Sequence, residues 1–365
     1  MSKMDLAITK RFDLNMGRRC NLRCKFCYYL EEIESGDTRD MSTQQVKDVL
    51  DIGYRRGKRR VDLTGGEPTI RGDLAEIIAY ARNIGYETVC IITNGLLVSK
   101  KEKLQAYVDA GLNDILLSVH AYNDALHDEL VGLTGAHHKV MTALRHAQEI
   151  GITTRVNHVV SNLNYQDVSQ MAALMADYAP DALNFILFNP TRNAIDAYEV
   201  LSLTYQDFSP YLLDMLETYH DTFPALNLRH IPFCYVKGFE PHVKTMYQLQ
   251  YEKVEWDYTM DILYKRGRAF LYGSTLFGAA LMLANPRFFK LPFDAQVKEA
   301  LQRARIFNDR RQGQKCKRCR LRYICDGLPK AYVQHRGADE VSPYLEGDAI
   351  LDPTHFIRRE ELEDS

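Results

Sequence analysis

Up to about residue 230 the chain alternates short apolar or β-branched runs with amphipathic stretches. The runs RFDLNM, RRVDLT, ETVCIIT, DILLSVH, TTRVNHVV and ALNFILF each have the length and the Val, Ile, Thr and Phe content of a strand. Helical spacing separates them. In HHKVMTALRHAQEIG, Val140, Leu144, Ala147 and Ile150 share one face, and Gly151 is placed to end the helix. Strands and helices in this rhythm predict βα units and a parallel sheet.

Six such units fall short of a closed eightfold barrel. The expected fold class is therefore α/β, a partial (β/α)6 TIM-type barrel over residues 1–230, with ligands at the carboxyl ends of the strands. Every motif of chemical interest follows or ends a strand. Past residue 230 the rhythm gives way to aromatic-rich, irregular sequence such as RHIPFCYVKGFEP and YEKVEWDYTM. Residues 231–365 are read as a smaller domain packed over the barrel mouth, with His230, Tyr235, Trp256 and Tyr258 as candidate pocket residues. The longest uncharged run, Ala269 to Ala284, has 16 residues, fewer than the roughly 20 needed to cross a bilayer. It predicts a buried helix, with a membrane-surface or lipid-substrate role as the alternative. No internal repeat or low-complexity tract is present.

Composition narrows the class. Hydrophobic residues are 46% and charged residues 26% of 365, and 46 Lys and Arg against 48 Asp and Glu give a net charge of −2. These values describe a globular chain and indicate no general attraction to nucleic acid. The N-terminus has no apolar run of signal-peptide length, so the expected location is cytoplasmic, without a transmembrane segment. There, eight cysteines read as metal ligands or reactive thiols before disulfides. Three lie at the front (Cys20, Cys24, Cys27) and three at the back (Cys316, Cys319, Cys325), with Cys90 and Cys234 alone. Cys90, in an apolar strand, is expected to be buried and inert.

Cys20-x3-Cys24-x2-Cys27 offers three thiolates from one loop, enough for three corners of a cubane with the fourth iron left open. A zinc site enlisting His120 and three unrelated buried cysteines are the other readings. CNLRCKFC together with LTGGEPTIRGDL resembles the radical S-adenosylmethionine (SAM) superfamily, whose signature is CxxxCxxC with an aromatic before the last cysteine, here Phe26. The resemblance covers about 220 residues. It implies that Cys20, Cys24 and Cys27 hold a [4Fe–4S] cluster whose open iron binds the amino and carboxylate groups of SAM. One electron then yields methionine and a 5′-deoxyadenosyl radical, which takes hydrogen from a C–H bond. By the same resemblance Gly65, Gly66, Glu67 and Pro68 form the edge receiving the SAM amino group. Ser118 and Asn157 match common SAM contacts, and Phe26 and Tyr28 flank the adenine.

Cys316-x2-Cys319-x5-Cys325 lies among Lys315, Lys317, Arg318, Arg320 and Arg322, cations expected to lower thiol pKa values. A zinc-stabilised loop is one reading. The pattern resembles the SPASM and twitch auxiliary-cluster domains of the same superfamily, and the cysteine count suits a single second [4Fe–4S] cluster. Cys234 as its fourth ligand would favour an oxidative outcome, dehydrogenation or bond formation. As a free thiol it would donate hydrogen to a substrate radical, giving epimerisation. The expected protein is a radical SAM oxidoreductase acting on a small metabolite or a peptide, fed by an external one-electron reductant of the flavodoxin or ferredoxin type. A non-enzymatic iron–sulfur electron carrier or zinc-stabilised scaffold is the rival of another class.

Overall fold

The computed structural model describes residues 7–189, 198–283, 288–290 and 293–363. The chain divides into two compact units, one of residues 14–229 and one of residues 1–13 with 230–365.

The first unit is built on a parallel sheet. All six strand-like runs form strands: β1 (Arg11–Asn15, completed across the unit boundary), β2 (Arg60–Thr64), β3 (Thr88–Thr93), β4 (Asp114–Ser118), β5 (Thr153–Val160) and β6 (Ala182–Leu187). A seventh, β7 (Ala225–Arg229), was not expected, since its ALNLR is short and less β-branched. The strands lie side by side in chain order, and β2 through β7 pair in parallel. Helices such as Thr43–Arg55, Leu74–Asn83, Ala136–Ile150 and Val168–Tyr178 connect them, which makes a partial TIM-type barrel. The Thr43–Arg55 helix starts on a capping box, with Ser42 and Gln45 each bonding the other's backbone. It turns Val46, Val49 and Leu50 inward.

Because both faces of such a sheet are covered, β3 and β4 are almost continuously buried. The exception to apolar filling is a charged plug near the strand starts. Arg155 from β5 donates through Nε to Asp114 (2.9 Å) and reaches the Asp62 carboxylate at 3.4 Å and Cys90 Sγ at 3.1 Å. All four side chains are buried. The carboxylates raise the Arg155 pKa against the opposing effect of burial, so the guanidinium stays charged.

In the second unit the N-terminal segment is bound to distant sequence. The Thr9 N–H donates to Gln250 O (2.8 Å), Thr9 Oγ1 to Glu255 O (2.7 Å), and the Asp257 N–H to Arg11 O (2.8 Å). This unit holds a short strand, β8 (Val243–Lys244), a helical hairpin of Tyr258–Met282, kinked at Gly267 (φ +77°), and Phe293–Asp309, and an antiparallel pair, β9 (Arg310–Arg311) with β10 (Leu328–Pro329).

Candidate functional site

The chain leaves β1 and enters the loop of Cys20, Cys24 and Cys27, all half-buried. Two backbone bonds fasten this loop to the helix ending near residue 131, from the Arg23 N–H to Val131 O (3.1 Å) and from the Lys25 N–H to Leu130 O (3.0 Å). Buried Leu22 anchors it in an apolar cluster with Leu96, Val131 and Ala136, against which Cys20 and Cys24 pack. Burial pushes the Cys20 thiol up to about 11, and it raises Cys24 and Cys27 as well. At Cys24 the two neighbouring thiols add to the rise. Three half-buried thiols on one loop, each raised by burial, form a site suited to a cationic metal.

The GGEP turn after β2 lies directly against this loop. The Gly66 N–H donates to Gly17 O (2.9 Å) and the Glu67 N–H to Arg19 O (2.7 Å). A Cβ at Gly66 would stand 2.0 Å from Arg19 O, and one at Gly65, whose φ is +152°, 2.5 Å from Gly17 O. The glycines are therefore required by the protein's own backbone at closest approach. A cavity of about 210 Å³, counting its open mouth, is lined here by Gly17, Arg19, Gly65, Gly66, Glu67 and Pro68 among others.

The Glu67 carboxylate is directed into the protein. Its Oε1 accepts from the Thr69 N–H (3.0 Å) and from the hydroxyls of Thr69 and Thr93, and its Oε2 accepts from the Asn94 N–H (2.8 Å). Complete burial raises its pKa despite these bonds. What this edge offers a ligand is thus backbone, which Glu67 holds in place. Pro68 is buried at the start of the turn Pro68–Ile70.

Ser118 closes β4 half-buried and pairs in register with Asn157. Asn157 Oδ1 accepts from Asn184 Nδ2 (2.9 Å), and Asn184 Oδ1 accepts from Asn227 Nδ2 (2.8 Å). Register thus stacks three asparagines across β5, β6 and β7, a ladder the single strands do not announce. Phe26 meets His120 edge-on, ring centres 4.5 Å apart, and Tyr28 is 40% exposed. His120 Nδ1 accepts the Val159 N–H (3.2 Å), and burial lowers its pKa well below the ordinary value. It is a neutral imidazole with that lone pair already engaged, which argues against the zinc reading of the front loop.

In the second unit Cys234, Cys316, Cys319 and Cys325 line one cavity of about 420 Å³, including its opening. Burial pushes Cys234 up to about 11, with Cys316 and Cys319 adding to the rise, and it raises Cys316 and Cys325 too. The neighbouring cations do not hold these thiols low as expected. Arg320 and Arg322 donate to the carbonyls of Glu346 and Lys317, and Lys315 to that of Asp339. The C-terminal stretch supplies Val341, Pro343 and Tyr344 to the lining, and Tyr344 donates to Phe233 O (3.2 Å) beside Cys234. Nothing in the local pattern around Tyr344 signals this. Of the candidate pocket residues, His230 lines a smaller cavity with Arg310 and Asp326, Tyr235 is buried, Trp256 is half-buried, and the side chain of Tyr258 lies outside the described residues. Among the described residues one compact set of potential ligands exists, Asp62, Cys90 and Asp114, and the Arg155 guanidinium already serves it.

A family model described as the radical SAM superfamily matches residues 14–175. The chain is 31% identical over 186 residues to a probable GTP 3′,8-cyclase of Sulfolobus acidocaldarius, covering 51% of this chain and 58% of the relative. It is 34% identical over 168 residues to the PqqA peptide cyclase of Rhodopseudomonas palustris, covering 45% and 44%. The chain thus spans about half the length of these curated relatives. Streptococcus suis SuiB bound to S-adenosylmethionine shares the fold, with a TM-score of 0.57 and 15% identity over 94% of this chain and 77% of that one.

Proposed function

From the match of residues 14–175 to the radical SAM superfamily model, we propose that this chain is a radical SAM enzyme that cleaves S-adenosylmethionine reductively and abstracts hydrogen from a C–H bond of a small metabolite or a peptide, with an oxidative outcome. Cys20, Cys24 and Cys27 would hold the first [4Fe–4S] cluster, and Cys316, Cys319, Cys325 and Cys234 a second. When bound, the first cluster supplies the electron that converts SAM to methionine and a 5′-deoxyadenosyl radical.

The observation that carries the oxidative reading is the convergence of Cys234 with Cys316, Cys319 and Cys325 on one cavity. Four thiols complete a cubane's protein ligands and leave Cys234 no role as hydrogen donor. The two cyclases among the relatives, named for GTP and for a peptide, support a bond-forming outcome and both substrate classes.

The chain's own residues position the reactants. The Gly65–Gly66 backbone, held by Glu67 from behind, presents peptide groups to the SAM amino end. Phe26 is braced against His120. Asn157 is oriented by Asn184, which leaves its side-chain N–H groups for the cosubstrate. Apolar packing around Cys20 and Cys24 limits water at the front thiols.

Anaerobic reconstitution followed by SAM and dithionite tests the reading. The parent should bind about eight iron atoms per chain and produce 5′-deoxyadenosine. Cys24→Ala should produce none, and Cys234→Ala should lose the second cluster's spectrum while still cleaving SAM. Full 5′-deoxyadenosine formation by Cys24→Ala would overturn the assignment. An intact second cluster in Cys234→Ala, with loss of deuterium uptake into substrate from D2O, would replace oxidation by epimerisation.

A further inference from the structure

The uncharged run that predicted a buried helix is buried on one side only. Within the hairpin of Tyr258–Met282 and Phe293–Asp309, Leu271, Gly278 and Met282 face inward. A Cβ on Gly278 would lie 1.7 Å from Ala300 O, so the two helices nearly touch there. The opposite face carries Ala269, Tyr272 with its neighbour Gly273, Leu276, Ala280 and Leu283, all exposed and recurring at helical spacing. Leu276 is 73% exposed, and Tyr272 and Leu283 are each 65% exposed. The face runs for about 22 Å without one charge. Toward the connection of the two helices Phe289 and Phe293 stand 63% and 76% exposed. Ala284, which ends the run, lies outside the described residues.

The charges around this face identify what covers it. Just before this face Lys265, Arg266 and Arg268 are exposed, and no Asp or Glu occurs from residue 262 to residue 283, within a chain of net charge −2. We infer that the hairpin seats the protein on an anionic phospholipid surface, its outer ridge lying in the interfacial layer and its cations meeting lipid phosphates. A second copy of the chain would bring the same three cations against these three, which opposes pairing. A bound peptide needs a groove, and this face is the outer ridge of a helix, a shape that acyl chains accommodate. Among the described residues no helix is long and apolar enough to cross a membrane, so the contact lies along the surface.

Vesicle flotation of the full chain tests this. Binding should be strong to phosphatidylcholine vesicles containing about 30% phosphatidylglycerol and at least about tenfold weaker to pure phosphatidylcholine or in high salt. Leu276→Glu combined with Tyr272→Glu should reduce binding at least about tenfold, with an unchanged circular dichroism spectrum because both positions are exposed. Val200→Glu, at an exposed apolar residue of the other unit, should bind as the parent does. Absence of binding to the anionic vesicles, or equal binding by the double variant, would overturn the inference. So would a concentration-dependent dimer that the double variant abolishes, since the face would then belong to a second copy.

Discussion

Glu67 shows how the mouth of the first unit is held together, and its replacement by alanine would separate support of the loop from ligand contact. The carboxylate satisfies four donors, two of them hydroxyls that can turn to other acceptors. The other two, the N–H groups of Thr69 and Asn94, are fixed by the backbone. Each buried donor left unsatisfied costs about 1–3 kcal/mol, so Glu67→Ala should destabilise the apoprotein by about 2–6 kcal/mol, a large share of an ordinary domain's 5–15 kcal/mol. Glu67→Gln keeps one oxygen for Thr69 and Thr93 but sets an NH2 group against the Asn94 N–H, for a loss of about 1–3 kcal/mol. Urea unfolding of the three apoproteins at one pH should give the order parent, Gln, Ala. SAM affinity of the reconstituted proteins should fall in the same order, because the Gly65–Gly66 edge moves with its support. The reasoning is refuted if Glu67→Ala unfolds within about 1 kcal/mol of the parent while SAM binding disappears, since the carboxylate would then act on the ligand itself.

Gly66→Ala would place a Cβ 2.0 Å from Arg19 O, so it should abolish iron incorporation at the front loop while leaving the second cluster's absorption. Retention of both clusters would contradict the close approach. Arg155→Met leaves Asp62 and Asp114 buried without their cation and should cost about 3–5 kcal/mol in urea unfolding at neutral pH, an effect that a loss under about 1 kcal/mol would refute. Burial lowers the pKa values of His127 and His158 to about 4 from an ordinary 6.5. A lowered histidine contributes stability that is complete above pH 6.5 and is lost as pH falls toward 4, by up to about 3 kcal/mol for each. His158→Gln should therefore flatten the acid limb of a stability-against-pH curve between 6.5 and 4, and an unchanged limb would show that the imidazole charges freely in the folded state.

The strands from β1 to β6 and the two thiol loops were legible because both are encoded locally. Alternation and β-branching mark a buried strand within a few residues, and CxxxCxxC places three sulfurs on one turn whatever the rest of the chain does. The apolar run at 269–283 was legible as a helix, but hydrophobicity alone does not say which of its faces meets a neighbour. Chain path decided that, as it decided every contact between distant segments. Gly65 and Gly66 owe their identity to the carbonyls of Gly17 and Arg19, nearly 50 residues away. Asn157, Asn184 and Asn227 form a ladder only because three strands share a register. Cys234 reaches Cys316, Cys319 and Cys325 across roughly 80 residues, under a cover that includes Tyr344. Local periodicity records which positions leave water, and tertiary structure alone selects the partner that each of them meets.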